Sequence, residues 1–320
     1  MPLPRYAALI FSIAFIVPGI GVVSGQNYPY KPIRLLTSEP GGAGDFASRL
    51  IAQELRGSLG QQVIIDNRAG AFLSGQVTAR ASPDGYTVLM AASNLWLQPF
   101  LYEHAPFDSV KDFSPITLTT TSPLVVVVNP SVAANSVQEL IALVKARPGV
   151  LNYGSGNTAS SSHLGPELFK SMAGVNIVRI AYKGAGPALN ALVANEVQMM
   201  ISSAGSAMPI VRSGRLKALA ITSPELSALL PGLPTVASSG LPGYSFAQTL
   251  GALAPARTPA AIIGRLHDEI VRALNQPEVK QKLFNGGLEI VGNSPAQFAA
   301  MIKTDMTVLG KVIKDSGIRE

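Results

Sequence analysis

From residue 28 onward the chain alternates two hydrophobic rhythms. Short apolar runs at 33–38, 62–66 and 87–91 suit β-strands, and the stretch 45–59, with apolar residues three and four apart, suits a helix. Residues 69–81, small and polar, predict a loop running into a short helix. The run 124–128 carries four consecutive valines and stops at Asn129-Pro130. Branched side chains favour the extended state, and proline cannot donate to a ladder.

A second α/β series follows. Ser136 is a good N-cap for a helix over 137–146, with Glu139 placed to complete a capping box. Strands are predicted at 151–153, 178–181, 198–201 and 216–222, with helices at 162–173 and 187–194. The segment 224–245 is rich in Pro, Gly and Ser and reads as irregular. Another extended run, 250–254, ends at Pro255, and helices follow at 259–274, 278–284 and 295–314.

This alternation predicts α/β architecture with largely parallel sheets. Two proline-terminated strands bracket a complete α/β unit, which points to an inserted lobe. The expected division is 26–124 plus 251–320 for one lobe and 125–250 for the other. The strands near 125 and 250 would cross as a hinge, leaving a ligand cleft between the lobes.

Composition narrows the classes. Of 320 residues, 47% are hydrophobic and 14% charged, which excludes long disordered stretches. The absence of cysteine excludes disulfides, thiolate metal sites and a lipid-anchored N-terminal cysteine. His104, His163 and His267 lie far apart, without ligand spacing, so neither metal nor cofactor is expected. The net charge of +6 is scattered singly. No basic stripe interleaved with aromatics exists to track a phosphate backbone, so nucleic acid is not an expected partner.

The N-terminus reads as an export signal. Arg5 supplies a positive start, 7–17 is apolar, Pro18 and Gly19 break the run, and Val23-Ser24-Gly25 offers compact residues for cleavage near Gly25–Gln26. The run is short for a bilayer span, and the rival reading is an uncleaved anchor.

Three glycine- or serine-rich turns follow predicted strands. The first holds Gly41, Gly42, Gly44 and Asp45, where glycines allow a sharp turn and free N–H groups at a helix start attract anions. Asp45 is placed as that helix's N-cap. The same segment, Gly42-x-Gly44-x-x-Ala47, also fits a relaxed dinucleotide fingerprint with Asp66 as the ribose acid, although nothing further along resembles a hydride-transfer site. An ordinary strand-to-helix turn is the plainer reading.

The second turn, 152–163, concentrates Ser155, Gly156, Asn157, Thr158, Ser160, Ser161, Ser162 and His163. Hydroxyls and backbone N–H groups there can hold a carboxylate without a fixed countercharge. A serine hydrolase with His163 as base is the enzyme alternative, but no Gly-x-Ser-x-Gly elbow or Ser-x-x-Lys motif is present. The third turn, 182–187, places Gly184 before a helix. Ser93-Asn94 and Ser202-Ser203 end two further strands, at the carboxyl edge where α/β sheets bind ligands.

Taken in order, the segments 28–36 (YPYKPIRLL), 40–55 (PGGAGDFASRLIAQEL), 66–70 (DNRAG), 82–91 (SPDGYTVLMA), 107–117 (FDSVKDFSPIT), 151–174 (LNYGSGNTASSSHLGPELFKSMAG), 182–189 (YKGAGPAL), 233–244 (LPTVASSGLPGY) and 253–259 (LAPARTP) resemble a known family. It is the Bug-type extracytoplasmic solute-binding proteins of tripartite tricarboxylate transporters.

The resemblance implies a type II periplasmic-binding-protein fold, with two α/β lobes joined by crossing hinge strands. It further implies a periplasmic receptor, by default a monomer, that captures a small carboxylate and delivers it to the transporter's membrane subunits. Supply to a sensor kinase is a further alternative. The site residues it implies are Gly41, Gly42, Gly44, Asp45, Ser93 and Asn94 in one lobe. In the other they are Gly156, Asn157, Thr158, Ser161, Ser162, His163 and Gly184, with Ser202 at a position where relatives often carry Asp. Ser38 and Glu39 replace an aromatic and a proline, and Thr249-Leu250 replace an aromatic pair. These departures bear on the charge and shape of the ligand.

Overall fold

The four valines at 125–128 prove to be the end of a sixteen-residue strand in a computed structural model, which describes residues 28–38, 40–68 and 72–319. The expected signal segment, its cleavage point, Glu39, and Ala69 and Gly70 lie outside the described residues.

The chain begins with β1 (Ile33–Thr37), α1 (Ala43–Leu59), β2 (Val63–Asn67), α2 (Leu73–Ala79), β3 (Thr87–Ala92) and α3 (Asn94–Leu101). The long strand β4 (Phe113–Val128) leads into α4 (Val137–Ala146), β5 (Asn152–Ser155), α5 (Ser161–Ala173), β6 (Val178–Ala181) and α6 (Ala185–Val193). After β7 (Met199–Ser203), α7 (Ala204–Arg212) and β8 (Lys217–Ile221), the chain returns through β9 (Ala247–Pro255). It finishes with α8 (Ala260–Leu274), α9 (Pro277–Asn285), β10 (Glu289–Ile290) and α10 (Pro295–Asp315).

Two sheets share β4. Its first part pairs with β9 in the order β2-β1-β3-β9-β4, and its last five residues pair with β7 on one side and β8 on the other, continuing to β5 and β6. The outer pairs β1–β2, β1–β3, β5–β6 and β5–β7 are parallel, as expected. The shared region is antiparallel, because β4 runs out of one sheet and β9 runs back. The sheets are therefore mixed rather than largely parallel.

Strand alternation divides the core. Val126 and Val128 pack with Tyr153, Phe169 and Ile201, whereas Val125 and Val127 face Leu189, Leu192 and Met200. All four valines are fully buried. Each such side chain contributes roughly 1.5–3 kcal/mol against the ordering entropy of the chain. A third cluster lies between β1, β3 and helices α1 and α8, with Leu35, Val88 and Ile51 against Leu266 and Ile270. Helix α10 packs against α3, β4 and α5, so it spans both sheets. Trp96 is buried on α3, and its Nε1 donates to Asp305 on α10 at 3.0 Å.

Local signals operate with one-residue differences. Ser136 Oγ accepts the Glu139 N–H at 3.1 Å as expected, but the Glu139 carboxylate takes the N–H of Asn135, one residue before the cap. Helix α1 starts at Ala43 with Gly42 as N-cap, so Asp45 lies in its first turn and is not the cap.

Candidate functional site

Three loops converge on one cleft of about 540 Å³. Ser38, Ala43 and Gly44 come from the turn into α1, Ser93 and Asn94 from the turn into α3, and Asn157, Thr158 and Ser161 from the turn into α5. The return strand adds residues 246–250, with the Phe246 ring and the Gln248 amide among them. Gln248 Nε2 donates to Ser161 Oγ at 2.9 Å, tying the hinge to the serine-rich turn. Among the described residues, every lining side chain is uncharged.

The helix starts supply the electrostatics. Gly42, Ser93 and Ser160 are the N-caps of α1, α3 and α5, and none makes a side-chain capping hydrogen bond. Side-chain caps are made at α4 and α10, by Ser136 and Ser294, while α2, α6, α7, α8 and α9 also lack one; what sets α1, α3 and α5 apart is that their starts line the cleft. An uncapped helix start carries unpaired N–H groups and about half a positive charge. Helix starts of this kind favour negative charge, and three of them border this one uncharged cleft.

The residues predicted for the site fall into two groups. Gly44, Ser93, Asn94, Asn157, Thr158 and Ser161 line the cleft. Gly41, Gly42, Asp45, Gly156, Ser162, His163, Gly184 and Ser202 do not, and most of them shape the loops from behind.

Asp45 is 4% exposed, and its carboxylate accepts from the Gly41 N–H, Arg49 and Asn67 Nδ2 at 2.9–3.0 Å. Those bonds, Arg49's foremost, hold its pKa down at about 2 even though burial opposes them. Asp45 therefore locks the turn, and Gly41, at φ +82°, adopts a conformation that other residues rarely take.

Behind the second turn, Ser162 Oγ accepts the Gly156 N–H at 2.9 Å and His163 Nδ1 accepts the Ala159 N–H at 3.1 Å. Ala159 sits at φ +56°, a left-handed conformation that a non-glycine residue holds only with support. Arg179 donates to Ser155 Oγ at 2.8 Å and to the Gly156 carbonyl at 3.3 Å. His163 is 3% exposed; burial first, and then the charge of Arg179, lower its pKa to about 4, so it is neutral at pH 7.

Gly156 packs backbone to backbone on the turn before α6, where a Cβ would meet Gly184 C at 3.2 Å. Gly184 caps α6 at φ +104°. Ser202 is buried opposite Val125, with no hydrogen-bond partner for its hydroxyl among the described residues.

This geometry does not assemble a Ser–His pair. His163 Nδ1 is occupied by a backbone N–H, Ser162 by Gly156 and Ser160, and Ser161 by Gln248. Asp66, the residue a dinucleotide ribose would need, is engaged by Arg34 at 2.5 Å and Arg68 at 2.7 Å.

Sequence reasoning missed Gln98, Tyr102, Ser122, Phe246 and Gln248, all of which line the cleft. Gln98 and Tyr102 belong to α3 and its C-cap, a helix the pattern did not predict. A usable signal existed for the hinge, because the departures Ser38, Thr249 and Leu250 all face the cleft.

Residues 47–318 match the tripartite tricarboxylate transporter family receptor, and the chain belongs to that family. Among curated relatives, protein BugT of Bordetella pertussis is 34% identical over 325 residues, covering 100% of this chain and 99% of its own. A UPF0065 protein from the tcbD-tcbE intergenic region of Pseudomonas sp. (strain P51) is 34% identical, over 89% of this chain and 86% of its own. Among solved structures, a periplasmic transporter is 35% identical with a TM-score of 0.72, covering 91% of this chain and 99% of its own. An R. palustris protein solved with adipate is 31% identical with a TM-score of 0.74, covering 92% and 100%. MatC from Rhodopseudomonas palustris, with bound malate, is 27% identical with a TM-score of 0.70, covering 89% and 100%. The chain is thus a two-lobed α/β solute-binding receptor.

Proposed function

We propose that this receptor works in the periplasm, holds a small carboxylate between its lobes, and presents it to the membrane subunits of a tripartite tricarboxylate transporter without chemically changing it. The observation that carries the reading is the convergence of three uncapped helix starts on a cleft with no charged lining side chain among the described residues. Backbone N–H groups and the hydroxyls of Ser93, Thr158 and Ser161 then act as donors. A ligand touching α1 and α3 on one side and α5 on the other favours the closed arrangement, because only that arrangement makes all the contacts. The adipate and malate held by related proteins support the ligand class. No helix among the described residues is long and apolar enough to cross a membrane, which agrees with a receptor that meets its transporter as a separate subunit.

The test is a thermal-shift screen of purified mature protein against mono-, di- and tricarboxylates, followed by calorimetry on the best ligand. A ligand at a hundred times its Kd should stabilise the fold by about 2.7 kcal/mol. Gly44→Val should abolish that gain, since a Cβ at Gly44 already meets Thr37 Oγ1 at 3.0 Å and the longer side chain crowds Ser38 and Leu250 at the cleft wall. A screen in which no carboxylate raises the melting temperature, or a valine variant that keeps full binding, refutes the assignment.

A further inference from the structure

The serine-rich turn is a partition. On its far side lies a second cavity of about 570 Å³, and Thr158 borders both spaces. This rear cavity is walled by His163, Glu167, Lys170 and Ser171 of α5, by Arg179 of β6, and by residues 315–319 at the end of α10 and just beyond it.

Pairing the charges leaves one over. Lys170 is matched by Glu167 at 2.7 Å, Asp315 by Lys311, and Arg319 by Glu103 at 3.4 Å. Arg179 has no carboxylate within 4.0 Å among the described residues, and its two hydrogen bonds go to the neutral oxygens of Ser155 and Gly156. A half-buried guanidinium with donors to spare thus lines a polar space. Ser171 borders the same space, and its hydroxyl has no partner among the described residues. His163 registers the field, being held neutral partly by the Arg179 charge.

We propose that the rear cavity binds a second small oxyanion, separate from the transported ligand, with Arg179 as its counter-ion. A carboxylate, phosphate or sulfate group meets the same requirement, since each offers two or more acceptor oxygens to a planar guanidinium. Arg179 also holds Ser155 and Gly156, so an anion there steadies the turn that forms one wall of the ligand cleft.

The experiment measures the melting temperature of mature protein in 10 mM sodium phosphate, sulfate or acetate against sodium chloride of equal ionic strength. At least one oxyanion should raise the midpoint by about 2 °C, the shift expected for a site tenfold over its Kd in a chain of this size; comparing the three salts identifies the preferred group. Ser171→Asp puts a negative charge into the cavity without touching any bond of the turn and should remove the gain. Arg179→Gln should remove it too, whereas Gly44→Val, which obstructs only the front cleft, should retain it. No gain over chloride in the wild type, equal protection of Ser171→Asp, or loss of protection in Gly44→Val overturns the proposal.

Discussion

His163 sits where a ligand contact was expected and instead supports Ala159 from behind, and this gives a quantitative pH prediction. Its pKa falls from 6.5 to about 4 on folding, because burial and Arg179 disfavour the imidazolium. The unfolded chain therefore binds more protons than the folded one between those values. Stability contributed by the neutral imidazole is complete above pH 6.5, declines as pH falls through that window, and is gone below about pH 4. At roughly 1.4 kcal/mol per pH unit, the gap corresponds to about 3–4 kcal/mol. Protonation also removes the acceptor for the Ala159 N–H, so the serine-rich turn loosens over the same range.

The assay is urea unfolding of wild type and His163→Asn between pH 4 and pH 7.5. Asparagine offers an oxygen to Ala159 but does not titrate. The variant should be within about 1 kcal/mol of wild type near pH 4 and less stable at pH 7.5 by the amount the imidazole contributes, so the difference curve must slope across the window. A difference that stays flat with pH refutes the reasoning.

Other perturbations have definite outcomes. Asp45→Asn should cost roughly 1–2 kcal/mol at pH 7 once the exposure of Arg49 is allowed for. That loss should fade in acid, because the wild-type contribution disappears as pH falls from 3.8 through about 2; urea unfolding from pH 7 to pH 2 follows it. Gly251→Ala, on the return strand, would bring a Cβ to 2.1 Å from Phe298 Cζ, and this overpacking should cost about 1–3 kcal/mol, lowering the melting temperature by several degrees. Ser136→Ala should remove about 1 kcal/mol through the lost cap while leaving ligand affinity unchanged, which titration calorimetry checks.

Much of the architecture was readable where pattern and chemistry agreed. The strand at 178–181 and the helices at 259–274 and 295–314 appear almost as spaced. The crossing strands were only half visible. The valine run announces the end of β4, but the residues before it include Pro115, Pro123 and a run of threonines that resembles a broken segment. The structure accommodates Pro115 with a register shift against β9. Helices α3 and α7 were missed because Pro99 and Pro209 lie inside them and both are short. The loops of the cleft were legible from their glycines and serines. Which of their residues face inward was not, because that depends on helix-start geometry: placing the α1 cap at Gly42 turns Asp45 toward Arg49 and Asn67.

The bare serines at the mouths of α3 and α5 have an implication for engineering. A protein that finishes every helix end by itself leaves nothing for a guest to complete, and in the proposed binding mode the guest plays the role of the missing cap. Replacing Ser160, whose extended backbone suits a cap, with aspartate should harden the empty receptor against heat while turning away its cargo, because the new carboxylate occupies the place that the cargo's own carboxylate would fill. Attempts to make this receptor sturdier should therefore leave that mouth unfinished.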